Sequence, residues 1–183
     1  MASTFPGTTI ETTSLEKGSS RRLFEGIFAT GGITLSQVSI MTGLEPYVIQ
    51  NWVKRGFLSP PVKRTYSKTQ LARIILINML RDTLQLEKIC SLIQIIGGDS
   101  ATATDDLIGD DELYHRYVDM LSDPCIRITK PQTVQQAAQT AVEELTLLPH
   151  AKQQLIRILQ IMLYAHSASQ LRQSAEEMFA ALQ

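Results

Sequence analysis

The sequence predicts an all-α, mostly helical chain with one short extended excursion near its middle. Two observations carry that expectation: apolar residues recur at helical spacing in segment after segment, and Gly, Pro or a capping residue punctuates most of those segments. A third is that the only clearly extended stretch is the basic-aromatic run from Phe57 to Tyr66, which turns at Pro60-Pro61.

Taken in order, residues 1–20 are rich in Thr, Ser and Gly and are expected to form a flexible leader. Leu23, Phe24, Ile27 and Phe28 then lie at helical spacing before Gly31-Gly32, predicting a short supporting helix. Thr34 is placed to cap a helix carrying Leu35, Val38 and Met41, and Gly43 supplies the turn after it. Pro46 opens the next helix, where its missing N–H costs least, with Ile49, Trp52 and Val53 as the inward face and Gly56 as the stop. Two short helices joined by a Gly-containing turn are the minimal helix-turn-helix pattern, and Phe57 to Tyr66 follows it as a compact wing. Ser67 and Gln70 have capping-box spacing and open a helix through Leu71, Ile74, Ile75, Ile77, Asn78 and Leu80; a further helix carries Leu86, Ile89, Leu92, Ile93 and Ile96.

Charge divides the chain. Residues 1–100 hold eleven Lys and Arg against seven Asp and Glu, whereas residues 101–183 hold six against eleven. From Pro46 to Arg81 there are seven basic residues, Lys54, Arg55, Lys63, Arg64, Lys68, Arg73 and Arg81, and no acidic one, a distribution suited to phosphate contact and equally compatible with a solvated basic face. If Ile49, Trp52 and Val53 face inward, helical spacing turns Tyr47, Gln50, Asn51 and Lys54 outward. Amide side chains such as Gln50 and Asn51 can pair bidentately with adenine edges, and Tyr47, Lys54, Arg55, Lys63, Arg64 and Tyr66 complete the expected DNA-contacting set.

The order of these features resembles the DNA-binding domain of MerR-type regulators. The matching residues are Leu35 to Gly43, Gly56-Phe57-Leu58, Arg64-x-Tyr66-Ser67, Leu80-Arg81-Asp82 and Leu86-Glu87-Lys88-Ile89. An uncharacterised bacterial family of MerR-like proteins is more similar still, sharing Met41 to Tyr47 and Gln50 to Gly56. The resemblance implies a winged helix-turn-helix domain over residues 21–99, duplex DNA as partner, and a homodimer formed through C-terminal helices. Where typical MerR proteins carry Arg-Tyr-Tyr in the recognition helix, this chain has Gln50-Asn51-Trp52, closer to the helix of small excisionase-like proteins.

Residues 100–183 are expected to form an acidic helical region serving oligomerisation. Ser100 to Thr104 reads as a linker; Asp105, Asp106, Asp110, Asp111 and Glu112 gather before a helix from Leu113 to Leu121, where its dipole favours them without any calcium-loop spacing. Pro131 is expected to open a helix running to about Leu148, and Pro149 to break or restart it. Leu171, Ala175, Met178 and Leu182, spaced four-three-four, have the pattern of a packed helical seam, intermolecular or within a bundle. Cys90 and Cys125 lack close Cys or His neighbours, and His115, His150 and His166 sit in separate segments. No metal, cofactor or enzymatic function is therefore expected, no effector is implied, and a protein-interaction module on the same scaffold is the alternative to DNA binding. Arg21-Arg22 superficially fits an export signal, but Glu25 follows and no hydrophobic core or cleavage site does, so a cytoplasmic location without membrane partners is expected.

Overall fold

The computed structural model describes residues 3–97 and 108–182 and is mostly helical. Its elements, in chain order, are β1 (Ser3–Thr4), β2 (Glu11–Thr12), α1 (Ser19–Ile27), β3 (Ile33–Thr34), α2 (Leu35–Thr42), α3 (Pro46–Lys54), β4 (Thr65–Tyr66), α4 (Lys68–Leu80), α5 (Leu86–Gly97), α6 (Asp110–Leu121), α7 (Pro131–Val142) and α8 (Pro149–Ala180). β1 pairs antiparallel with β2, and β3 with β4, in register Ile33 with Tyr66 and Thr34 with Thr65.

α4 is the centre. Leu71, Ala72, Ile74, Ile75, Leu76, Ile77, Met79 and Leu80 are all buried, so the helix presents apolar side chains around most of its circumference and must be covered on every side. α2, α5, α6 and α8 pack around it. Its start is set as the spacing of Ser67 and Gln70 predicts: the Ser67 hydroxyl accepts from the Gln70 N–H, and the Gln70 side chain accepts from the Ser67 N–H at 2.9 Å. Thr34 and Gln37 form the same reciprocal box at the head of α2.

Residues 3–20 are not the flexible leader expected from their composition. Phe5 is buried, the Thr9 N–H donates to the Met41 carbonyl at 2.8 Å, and the Thr9 hydroxyl donates to the Ile40 carbonyl at 2.7 Å, satisfying the free end of α2. Asn78 of α4 donates to the carbonyls of both Gly7 and Thr42, tying this hairpin to the turn after α2. Gly7 has a φ of +72°, and a Cβ there would lie 2.6 Å from the Ile75 carbonyl oxygen. Polar composition therefore concealed a segment that packs through one buried aromatic, Phe5, and through backbone and hydroxyl hydrogen bonds.

α6 and α8 pack directly on α4. Arg73 of α4 holds Asp110 at 2.7 Å, and Arg21 of α1 holds Asp119 at 2.6 Å and Glu112 at 3.0 Å. Tyr114 stacks on Phe24 with ring centroids 5.7 Å apart and donates its hydroxyl to the Pro6 carbonyl. Of the acids expected at that helix start, Asp110 is buried and ion-paired and Glu112 also accepts from Arg116 at 2.6 Å; Asp119, further along α6, is buried as well. The expected linker from Ser100 to Thr104, with Asp105 and Asp106, lies outside the described residues. α7 stops at Val142, short of the expected Leu148, because α8 begins afresh with Pro149 in its first turn. Among the described residues, no helix is long and apolar enough to cross a membrane.

His115 is buried and His166 half-buried, each beside a hydroxyl: His115 Nδ1 lies 3.0 Å from Ser20 Oγ and His166 Nδ1 2.8 Å from the Tyr117 hydroxyl. Burial pushes both imidazoles down to about 4, with the nearby Arg21 guanidinium adding to the effect at His115.

Two outcomes follow. Gly7→Ala is expected to cost about 1–3 kcal/mol, read as a lower melting temperature; an unchanged melt would mean that the N-terminal hairpin does not pack. Because the folded-state values of His115 and His166 lie below the ordinary 6.5, the unfolded chain binds protons first, so stability should be full above about pH 6.5 and fall as pH drops toward 4. Denaturant titrations across that range check this, and His166→Phe should flatten the dependence.

Candidate nucleic-acid interface

α2 ends on Gly43, whose φ of +68° lets the chain reverse, and Leu44 is buried beneath the turn before Pro46 starts α3. Ile49 and Trp52 are buried and Val53 is half-buried, so helical geometry leaves Tyr47, Gln50, Asn51 and Lys54 exposed along one side, Tyr47 at 69%. These four stand where the spacing predicts.

The chain leaves α3 through Gly56, and Leu58 is buried against the core. Gln70 donates to the carbonyls of Ser59 and Pro60, each at 3.0 Å, anchoring the loop to the start of α4. Val62 and Thr65 then exchange both backbone hydrogen bonds at 3.0 Å around a two-residue turn made of Lys63 and Arg64. Their φ values are +50° and +65°. A two-residue hairpin turn with both central residues left-handed is the type I′ geometry, for which Asn-Gly is the favoured sequence. Placing two long side chains there costs about 1–2 kcal/mol per residue, and the result is a pair of exposed cations at the tip of a hairpin.

The hairpin and α3 belong to one face. An apolar-floored cleft of about 280 Å³ lies between them, with Leu35, Val53, Pro61 and Tyr66 in its lining and Gln50 and Arg64 facing it from either side. On the other flank a wider groove of about 780 Å³ brings Lys63 and Lys68 together at the start of α4. Lys68 was visible in the basic run but had no assigned role; its place beside the hairpin depends on the β3–β4 pairing, which no local pattern announces.

Two expected contacts, Tyr66 and Arg55, are placed differently, as is Arg73 of the basic run. Tyr66 is 2% exposed: pairing with Ile33 turns its ring inward, and burial pushes its hydroxyl above the ordinary tyrosine range, so it is a core residue. Arg55 is exposed but engaged, 2.9 Å from Glu87 of α5 and 4.7 Å above the Phe57 ring. Arg73, counted in the basic run, is held by Asp110. What remains on the shared face is Tyr47, Gln50, Asn51 and Lys54 from α3 with Lys63 and Arg64 from the hairpin.

Residues 33–117 match a family described as a domain of unknown function (DUF1836). The match covers somewhat under half of the chain, begins at β3 and ends within α6, so it includes the whole face described above together with α4 and α5. No curated protein and no solved structure matches the chain.

The strain at the hairpin tip is directly measurable. Arg64→Gly is expected to stabilise the fold by about 1 kcal/mol, since only glycine adopts the left-handed region freely. Chemical denaturation checks it, and destabilisation would show that Arg64 makes a compensating contact within the fold.

Proposed function

We propose that the chain is a sequence-specific duplex-DNA-binding transcription regulator that acts as a dimer, with α2 and α3 as a helix-turn-helix and the Val62–Thr65 hairpin as its short wing. The observation that carries this reading is the shared face. Four exposed polar or aromatic residues on α3 stand beside a hairpin whose tip strains its backbone to present two cations, where a turn made for stability alone would use glycine.

In this reading α3 lies in the major groove, where Gln50 and Asn51 meet base edges and Tyr47 packs on a phosphate or a thymine methyl. Lys54, Lys63 and Arg64 hold phosphates and fix the register. Arg55 is withdrawn from the contact set by Glu87, and Tyr66 supports the hairpin from below. The chain's near-neutral net charge is no obstacle, because the face itself carries Lys54, Lys63 and Arg64, while Asp110, Glu112 and Asp119 are engaged by Arg21, Arg73 and Arg116 within the fold.

A protein-interaction role on the same scaffold is the second reading, favoured by one observation: the last part of α8 exposes Leu171, Met178, Phe179 and Leu182. Selection from a random-sequence duplex pool separates the two. Enrichment of an inverted repeat supports the dimeric regulator, and no enrichment at low salt favours the interaction module.

Charge and base contacts should separate on mutation. Lys63→Ala with Arg64→Ala is expected to weaken binding to all duplexes and lower the salt slope by about one to two. Asn51→Ala is expected instead to change preference at one base pair, by about 1–3 kcal/mol. Fluorescence anisotropy across salt concentrations and single-base variants checks both; an unchanged salt slope would remove the hairpin from the interface.

A further inference from the structure

Away from α3 and the Val62–Thr65 hairpin, a cavity of about 360 Å³ opens where four distant segments meet: the N-terminal hairpin at Pro6 and Gly7, the end of α4, the last residue of α6 and the outer half of α8. Its volume is at the small end of the range for ligand pockets. Met79 and Leu121 supply apolar lining, and Asn78, Asp82, His166 and Ser169 supply polar lining. None of the exposed residues assigned to the DNA face takes part in it.

Two polar atoms of this lining are held in place and left unsatisfied. Asn78 Nδ2 donates to the Gly7 carbonyl at 3.0 Å and to the Thr42 carbonyl at 2.9 Å, which fixes the way the amide lies and leaves Oδ1 without a hydrogen bond among the described residues. His166 is fixed from behind. Its Nδ1 lies 2.8 Å from the Tyr117 hydroxyl, and Tyr117 is so deeply buried that it keeps its proton. With no other acceptor among the described residues, that hydroxyl donates to Nδ1, so the neutral ring carries its hydrogen on Nε2. Nε2 in turn meets no partner among the described residues. Neither atom is sealed in, because Ser19 Oγ is the one buried side-chain polar atom left unpartnered among them. Both atoms therefore reach solvent through the cavity that both residues line.

Charge decides what such a site accepts. Among the described residues the lining holds one charged side chain, Asp82, and no Lys or Arg. Asp82 is only loosely engaged: its Oδ2 accepts from Ser169 at 3.3 Å and stands 3.7 Å from Arg172, which lies outside the lining, and its Oδ1 takes no hydrogen bond among the described residues. A phosphate or carboxylate entering here would meet an acid and no cation in the lining, whereas an ammonium would gain a charge-assisted acceptor.

We propose that the cavity binds a small hydroxylated amine, of the size and kind of an amino sugar. Its ammonium donates to Asp82 Oδ1, one hydroxyl donates to Asn78 Oδ1, and another accepts from His166 Nε2. Met79 and Leu121 meet the C–H groups of its ring. The site stands apart from the DNA face and is tested without DNA.

The experiment titrates the isotopically labelled full chain with three rings of similar size and different charge: glucosamine, glucose and glucuronate. Glucosamine should give saturable amide shifts centred on Gly7, on Asn78 to Asp82 and on His166. Glucose should bind about tenfold more weakly or worse, and glucuronate should leave those amides unmoved at the same concentrations. Asp82→Asn should lower the affinity for glucosamine to that for glucose; the side chain is 48% exposed, so the fold should persist, and circular dichroism checks that it does. No saturable shift with glucosamine at tens of millimolar would overturn the proposal, as would glucuronate binding as tightly as glucosamine. A folded Asp82→Asn variant that still prefers the amine would overturn it equally.

Discussion

The structure depends on covering one helix. α4 carries so many buried apolar side chains that it cannot rest on a single neighbour. Everything around it answers that demand: α2 on one side, α5, α6 and α8 on others, and the N-terminal hairpin closing over Ile75 and Met79 through Gly7. The covering layers are then locked by polar contacts at their margins. Arg73 with Asp110 and Arg21 with Asp119 join elements distant in sequence, and Asn78 joins α4 to both the N-terminal hairpin and the end of α2. A buried ion pair of this kind does more to choose one arrangement than to stabilise it, since desolvation offsets much of the attraction.

That arrangement determines what is left for partners. With α4 covered, α2 and α3 turn their remaining faces outward, and β3–β4 pairing places a strained basic hairpin beside α3. At the far end α8 leaves the body with its seam uncovered. The two exposed features differ in kind, one polar and cationic, the other an apolar stripe.

Much of this was legible in the sequence. The cap at Thr34, the capping box at Ser67, the restart at Pro149 and the outward set on α3 follow from local rules, because caps and helical faces depend only on neighbours a few residues away. The packed N-terminal hairpin escaped because its contacts run through backbone groups of Thr9 and the bareness of Gly7, which polarity does not reveal. Tyr66 and Arg55 escaped for a different reason: whether an aromatic or a cation in a basic run faces outward depends on a strand partner, Ile33, and on Glu87 of another helix. The packing of α6 and α8 on α4 was not legible, because an apolar run near the middle of the chain does not say which distant helices will cover it.

The most direct test of the DNA-binding account is amide chemical-shift mapping of the isotopically labelled full chain on titration with a duplex at low salt. The account predicts that the largest shifts fall on residues 47–55 and on Val62 to Thr65, and that they diminish together as salt is added. Shifts confined to the outer part of α8, or none at all at low salt, would contradict it.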